Sequence, residues 1–150
     1  MNENSTAIQT HTLTRRYGDL TAVDRLDLTV PQGVIFGFLG PNGAGKSTTI
    51  NMLTSLLPPT AGTATVAGFD IKEEPLEVKR RIGTVPEDLS LYERLTAGEH
   101  VELVGRLHGL SHAEIERRIP PLLDLLELED SADKMILDYS HGMRKKTALA

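Results

Sequence analysis

The sequence predicts an α/β chain, and three observations predict it. Two early segments alternate apolar and polar residues. A continuous apolar run, Val34-Ile-Phe-Gly-Phe-Leu39, ends in a glycine-rich loop that opens a helix. The second half carries two marked helix starts. With 39% apolar and 25% charged residues, the 150-residue chain has the make-up of an ordinary globular domain.

Residues 6–13 and 22–30 read as strands. In the second, Ala22, Leu26, Leu28 and Val30 alternate with polar neighbours, with one irregular step at Val23. Pro31-Gln32-Gly33 is a turn. Val34–Leu39 is of strand length and apolar throughout, which suits a strand buried on both faces. A helix is expected from Lys46 to about Leu57, stopped by Pro58-Pro59. Gly62–Phe69 reads as a strand, 75–81 as a short helix opened by Pro75, and Ile82–Val85 as a short buried strand. Thr96 with Glu99, and Ser111 with Glu114, have capping-box spacing, and Leu110 and Ile115 stand at staple positions around the second. Pro120-Pro121 is expected to interrupt that helix, with a fresh start through Leu122–Leu128. A last helix begins near Ser140.

Several classes are disfavoured. No apolar run approaches the roughly 18 residues of a transmembrane helix, and Met1–Gln9 lacks the plan of a signal peptide. There is no cysteine, hence no disulfide frame and no thiolate metal site. Net charge is −5 with no cationic excess in either half, so nucleic acid is not the expected partner. His108 and His112 are four apart, but a Gly-Leu-Ser corner separates them and no third ligand is evident, so a metal pair is not expected. Arg144-Lys145-Lys146 reads as a solvated helix face.

Gly40-Pro41-Asn42-Gly43-Ala44-Gly45-Lys46-Ser47 fits G-x-x-x-x-G-K-[ST]. Phosphate oxygens need several donors converging from a backbone that can come close. Glycines remove the Cβ atoms that would block the approach, and the new helix adds the positive end of its dipole. Lys46 is expected to reach the β and γ phosphates of ATP, Ser47 to ligate Mg²⁺, and Thr48 to add a contact near the α phosphate.

The wording of residues 40–48 resembles the ATP-binding cassette (ABC) ATPases, and three further features fall in that family's order. Tyr17, in Arg15-Arg16-Tyr17-Gly18, lies where the family keeps an aromatic residue that stacks on adenine. Ile82-Gly83-Thr84-Val85-Pro86-Glu87 resembles the entry to the family's Q-loop, with Glu87 in place of Gln. The resemblance implies a role for Glu87 at the Mg²⁺ and water site; a solvated loop acid is the alternative. Tyr139-Ser140-His141-Gly142-Met143 stands where the family has its LSGGQ signature. Ser140 and Gly142 match; Tyr139, His141 and Met143 depart. The resemblance implies that this element meets the γ-phosphate of an ATP held by an opposite protomer. His141 replaces a glycine, so a positive φ there would be strained.

The resemblance runs from about Thr10 to Ala150. It implies a P-loop NTPase fold with an antiparallel β subdomain and a helical subdomain. The core and β part would span about 1–90, the helical part about 91–140, and the start of the signature helix 140–150. It also implies an ATPase that drives transport, a membrane permease as partner, a paired ATPase protomer, and a place on the cytoplasmic face of the membrane. YSHGM resembles the exporter branch. A soluble ABC ATPase that remodels a ribosome or DNA complex is the alternative. In the family the Asp that holds Mg²⁺, the catalytic Glu and a later His follow the signature helix, and this sequence stops inside that helix. The expectation is therefore that the C-terminal part of the core is missing and that the 150 residues alone bind ATP without turning it over. Met135-Ile136-Leu137-Asp138 imitates the absent Asp-ending strand, but the simpler reading is a packed approach to the signature helix.

Overall fold

A computed structural model describes residues 6–86 and 88–150. The chain divides into two compact units, Met1–Gly83 and Thr84–Ala150.

The first unit is built on a four-stranded antiparallel sheet of order β2-β1-β3-β4. β1 (Thr6–Tyr17) and β2 (Leu20–Pro31) are longer than the alternation alone suggests. Irregularities in their pairing hide the period. At the one between Thr10 and Leu13, Thr10 Oγ1 donates to Leu26 O and accepts from the Leu28 N–H, so the displaced backbone groups stay bonded. The core gathers Leu13 and Val23 from these strands, Ala64 and Val66 from β3 (Ala61–Val66), and Met52 from α1 (Lys46–Leu53).

Four expectations for this unit need correction. α1 ends at Leu53, not near Leu57, because Ser55 takes a left-handed φ of 56°. The Ser55 N–H bonds Met52 O and the Leu56 N–H bonds Asn51 O, a Schellman closure that does not need the prolines. The single strand expected at 62–69 is a hairpin: β3 turns at Ala67 and Gly68, both with positive φ, into β4 (Phe69–Asp70). The helix expected over 75–81 is α2 (Pro75–Lys79).

The fourth correction is the largest. Neither Val34–Leu39 nor Ile82–Val85 forms a strand. Ile35 and Leu39 are exposed by 106% and 91%. A strand covered on both faces needs neighbouring strands, and the described residues offer these segments none.

The second unit is helical. α3 (Ala97–Leu107) opens on the expected capping box: the Glu99 N–H donates to Thr96 Oγ1 at 3.2 Å, and the Thr96 N–H to Glu99 Oε2 at 2.8 Å. α4 (His112–Leu125) keeps only half of its box. The Glu114 N–H donates to Ser111 Oγ, but the Glu114 carboxylate is taken by Arg117 and Arg118. Those two arginines hold the Glu114 carboxyl below its usual range. α4 also runs straight through Pro120-Pro121, against expectation. Both prolines are exposed, so the crowding and the freed carbonyls of the preceding turn face solvent.

Ala97, Leu123, Leu128, Ile136 and Tyr139 form this unit's core. Ile136 is fully buried, and its N–H bonds Leu95 O at 2.8 Å. Replacing it by Ala is expected to cost about 2–4 kcal/mol in urea denaturation of the chain.

His100 on α3 is buried, and its Nδ1 has no hydrogen-bond partner. Burial lowers its pKa by disfavouring the imidazolium. A base depressed in the fold leaves stability intact above its unfolded pKa of about 6.5, and stability falls as the pH drops below that. The wild-type chain should therefore lose thermal stability between pH 7 and pH 5, and His100→Leu should lose less over the same interval.

Candidate functional site: a phosphate loop and a capped helix start

Residues 40–47 hold the loop geometry that an anion needs. Gly43 and Gly45 have φ of 82° and 83°, and α1 starts at Lys46 immediately after them. A Cβ on Gly45 would lie 2.3 Å from Ala22 O on β2, so the loop is pressed directly onto the sheet. A Cβ on Gly43 would meet nothing within 4 Å. Asn42, Gly43 and Ser47 are exposed, and Thr48 is half-buried. Lys46 Nζ donates to Gly40 O and Pro41 O, both at 2.6 Å. The cation thus sits back on the loop's own carbonyls.

These residues fit a polyphosphate: backbone donors, a helix start and a half-buried lysine face one loop that carries no acidic side chain. For Mg²⁺ the described residues fit in part. Ser47 offers an exposed hydroxyl, and among the described residues no cluster of three His, Cys, Asp or Glu could hold a metal ion.

Tyr17 closes β1 and pairs with Leu20. Ala22, which backs Gly45, is two residues further along β2, about 7 Å. The Tyr17 ring is therefore at the loop end of the sheet, 46% exposed. The Arg15 guanidinium lies 4.6 Å from its centroid, so one face of the ring is covered by a cation. Arg15 Nη1 in turn donates to Pro58 O. Residues two apart on a strand share a face, so the Arg15–Tyr17 pair was readable from spacing and was missed. Glu87 lies outside the described residues.

In the second unit, Ser140 caps α5 (His141–Leu149), accepting from the Met143 N–H at 3.3 Å. Tyr139 is buried, and its hydroxyl donates to Ser131 O at 2.8 Å. Burial pushes its pKa up, which keeps it a neutral anchor. Ser140, His141 and Gly142 are all exposed. His141 is the first helical residue and does not have positive φ, so the strain anticipated for a left-handed backbone does not arise. A Cβ on Gly142 would meet only Ser140 Oγ, at 3.9 Å. The fold itself thus has room for a side chain there, and the bare helix start is open to something outside it.

The remaining candidates resolve as follows. Ile136–Asp138 is a 3₁₀ turn leading into Tyr139, not a strand. His112 faces Glu116 at 3.3 Å and Glu102 at 3.9 Å. The basic run at 144–146 is not a freely solvated face: Arg144 pairs with Glu93 and Lys146 with Glu127.

Comparison with known proteins agrees with this geometry. The family profile described as ABC transporter matches residues 23–150. The chain is 46% identical over 144 residues to the daunorubicin/doxorubicin resistance ATP-binding protein DrrA of Streptomyces peucetius, covering 96% of this chain and 44% of that protein. It is 40% identical over 148 residues to the Nod factor export ATP-binding protein I of Sinorhizobium fredii, covering 99% and 43%. A solved ATP-binding subunit of an ABC transporter superposes with a TM-score of 0.81 at 34% identity, over 96% of this chain and 60% of that one. CbiO1 of Clostridium perfringens, part of the ABC transporter complex cbiONQ, has the same fold, with a TM-score of 0.85 at 23% identity over 97% and 60%. The chain spans less than half the length of these two curated relatives. Sequence, loop geometry and fold converge: the chain belongs to the ABC transporter family.

Proposed function

We propose that these residues are the ATP-binding part of the ATP-hydrolysing subunit of an ABC exporter. The observation that carries the reading is the Gly40–Ser47 loop, held against β2 through Gly45 and followed at once by α1. The export assignment rests on relatives whose names specify drug resistance or Nod factor export. No observation favours a ribosome- or DNA-remodelling ATPase.

Each residue has a distinct task in this proposal. The loop N–H groups and the start of α1 receive the phosphates. Lys46 exchanges Gly40 O and Pro41 O for the β and γ phosphate oxygens. Tyr17 stacks on adenine with the ring face that Arg15 leaves free. Ser47 offers a ligand to Mg²⁺, which when bound offsets phosphate charge. Glu87 acts at the metal and water site. Ser140 and Gly142 of one protomer meet the γ-phosphate held by another, where hydroxyl, backbone N–H and helix dipole all favour an anion. ATP then joins two protomers, and hydrolysis by the whole protein releases them and drives a membrane permease from the cytoplasmic face. Hydrolysis needs carboxylates that the family places after the signature helix, so the 150 residues alone are expected to bind rather than turn over.

Photolabelling with 8-azido-ATP tests the site. The label should map to the peptide containing Tyr17 and disappear under excess ATP with Mg²⁺. A label elsewhere, or one that ATP does not displace, would refute the adenine assignment.

A further inference from the structure

Arg144 makes three connections around the start of α5. Its Nη1 pairs with Glu93 Oε1 at 2.8 Å, and its Nη2 donates to Leu137 O at 3.0 Å. Its N–H bonds Ser140 O, the cap residue itself. The Leu137 N–H, for its part, bonds Glu93 O at 2.8 Å. One guanidinium thus closes a ring through the capped turn, the 3₁₀ turn before it and the segment 88–93. His141 and Arg144 line one cavity of about 260 Å³ with Asp88, Ser90 and Glu93. The Arg144 side chain is 30% exposed and that of Glu93 50%, so the pair is open to solvent and its weight lies in the geometry it fixes rather than in its charge energy. A planar fork can meet a carboxylate and a carbonyl at once; an ammonium on the same stem is a single point of contact.

We propose that Arg144 is a positioning residue. Through Glu93 and Leu137 O it fixes the Ser140–Gly142 turn to the segment that directly follows Glu87, so the anion-facing end of α5 and that segment move as one piece. This rests on the reading of Ser140 and Gly142 as the γ-phosphate contact of an opposite protomer. Lys146 supplies the comparison. It pairs with Glu127 at 2.5 Å from the same helix, but it touches neither Glu93 nor Leu137.

The experiment uses the 150-residue chain with two readouts: amide exchange at Met143 and Arg144, and ATP-driven self-association by sedimentation. Arg144→Gln and Glu93→Gln should each speed exchange at those amides and weaken self-association about tenfold. The reversed pair, Glu93→Arg with Arg144→Glu, should recover part of both. Arg144→Lys should recover less than the reversed pair, and Lys146→Gln should change neither readout. Wild-type exchange in Arg144→Gln, or equal effects from Lys146→Gln, would overturn the proposal. If the wild-type chain binds ATP without self-associating, the opposite-protomer reading fails, and amide exchange alone decides whether Arg144 holds the turn.

Discussion

Replacing Lys46 by Ala is expected to weaken ATP binding about ten- to hundredfold, measured by calorimetry on the folded variant. The basis is the loss of a charge-assisted bond, worth roughly 1.5–3 kcal/mol. The effect on stability should be small, because the bonds from Lys46 Nζ to Gly40 O and Pro41 O are exposed. Those bonds also define what binding must replace. The lysine leaves two neutral carbonyls for multiply charged oxygens, so the gain is electrostatic and should shrink as salt is raised. Equal ATP affinity in wild type and Lys46→Ala would remove the loop from the account.

Gly45→Ala should have the largest effect on the fold of the site. The residue holds φ of 83°, and an added Cβ would stand 2.3 Å from Ala22 O and 3.1 Å from Val23 Cγ2. Ala22 O is backbone in a paired strand, so relief requires the loop to lift off β2. A cost of about 3–5 kcal/mol is expected in denaturation, the range of strain combined with overpacking. Gly43→Ala separates the two causes. Gly43 has nearly the same φ, 82°, with nothing within 4 Å of its Cβ position. It should lose only about 1–2 kcal/mol, the cost of a left-handed backbone. Equal losses from the two substitutions would show that the contact with β2 does not hold the loop.

Much of this was legible in the sequence because local rules and tertiary structure agreed. Thr96 and Glu99 close their capping box as spaced, and Ser140 caps α5. The conformation of the glycine loop was legible for the same reason: its glycines, the start of α1 and Lys46 lie within a few residues of one another. The features misread depend on partners distant in sequence or on residues used against type. Ser55 ends α1 in a conformation that usually calls for glycine. The carboxylate of Glu114, spaced for a capping box, finds two arginines instead. Pro120 and Pro121 break nothing because their side of α4 faces solvent. Val34–Leu39 is the clearest case. Its apolar pattern describes a strand between two others, and the described residues do not supply them. The Arg144–Glu93 pair spans 51 positions, and no local pattern announces it.

The central claim is that this chain holds ATP in its glycine loop. Titration of the wild-type chain with ATP and Mg²⁺ by isothermal calorimetry tests it most directly. The account predicts saturable binding of one ATP per chain that weakens as salt is raised. A folded chain that gives no saturable ATP signal would contradict it.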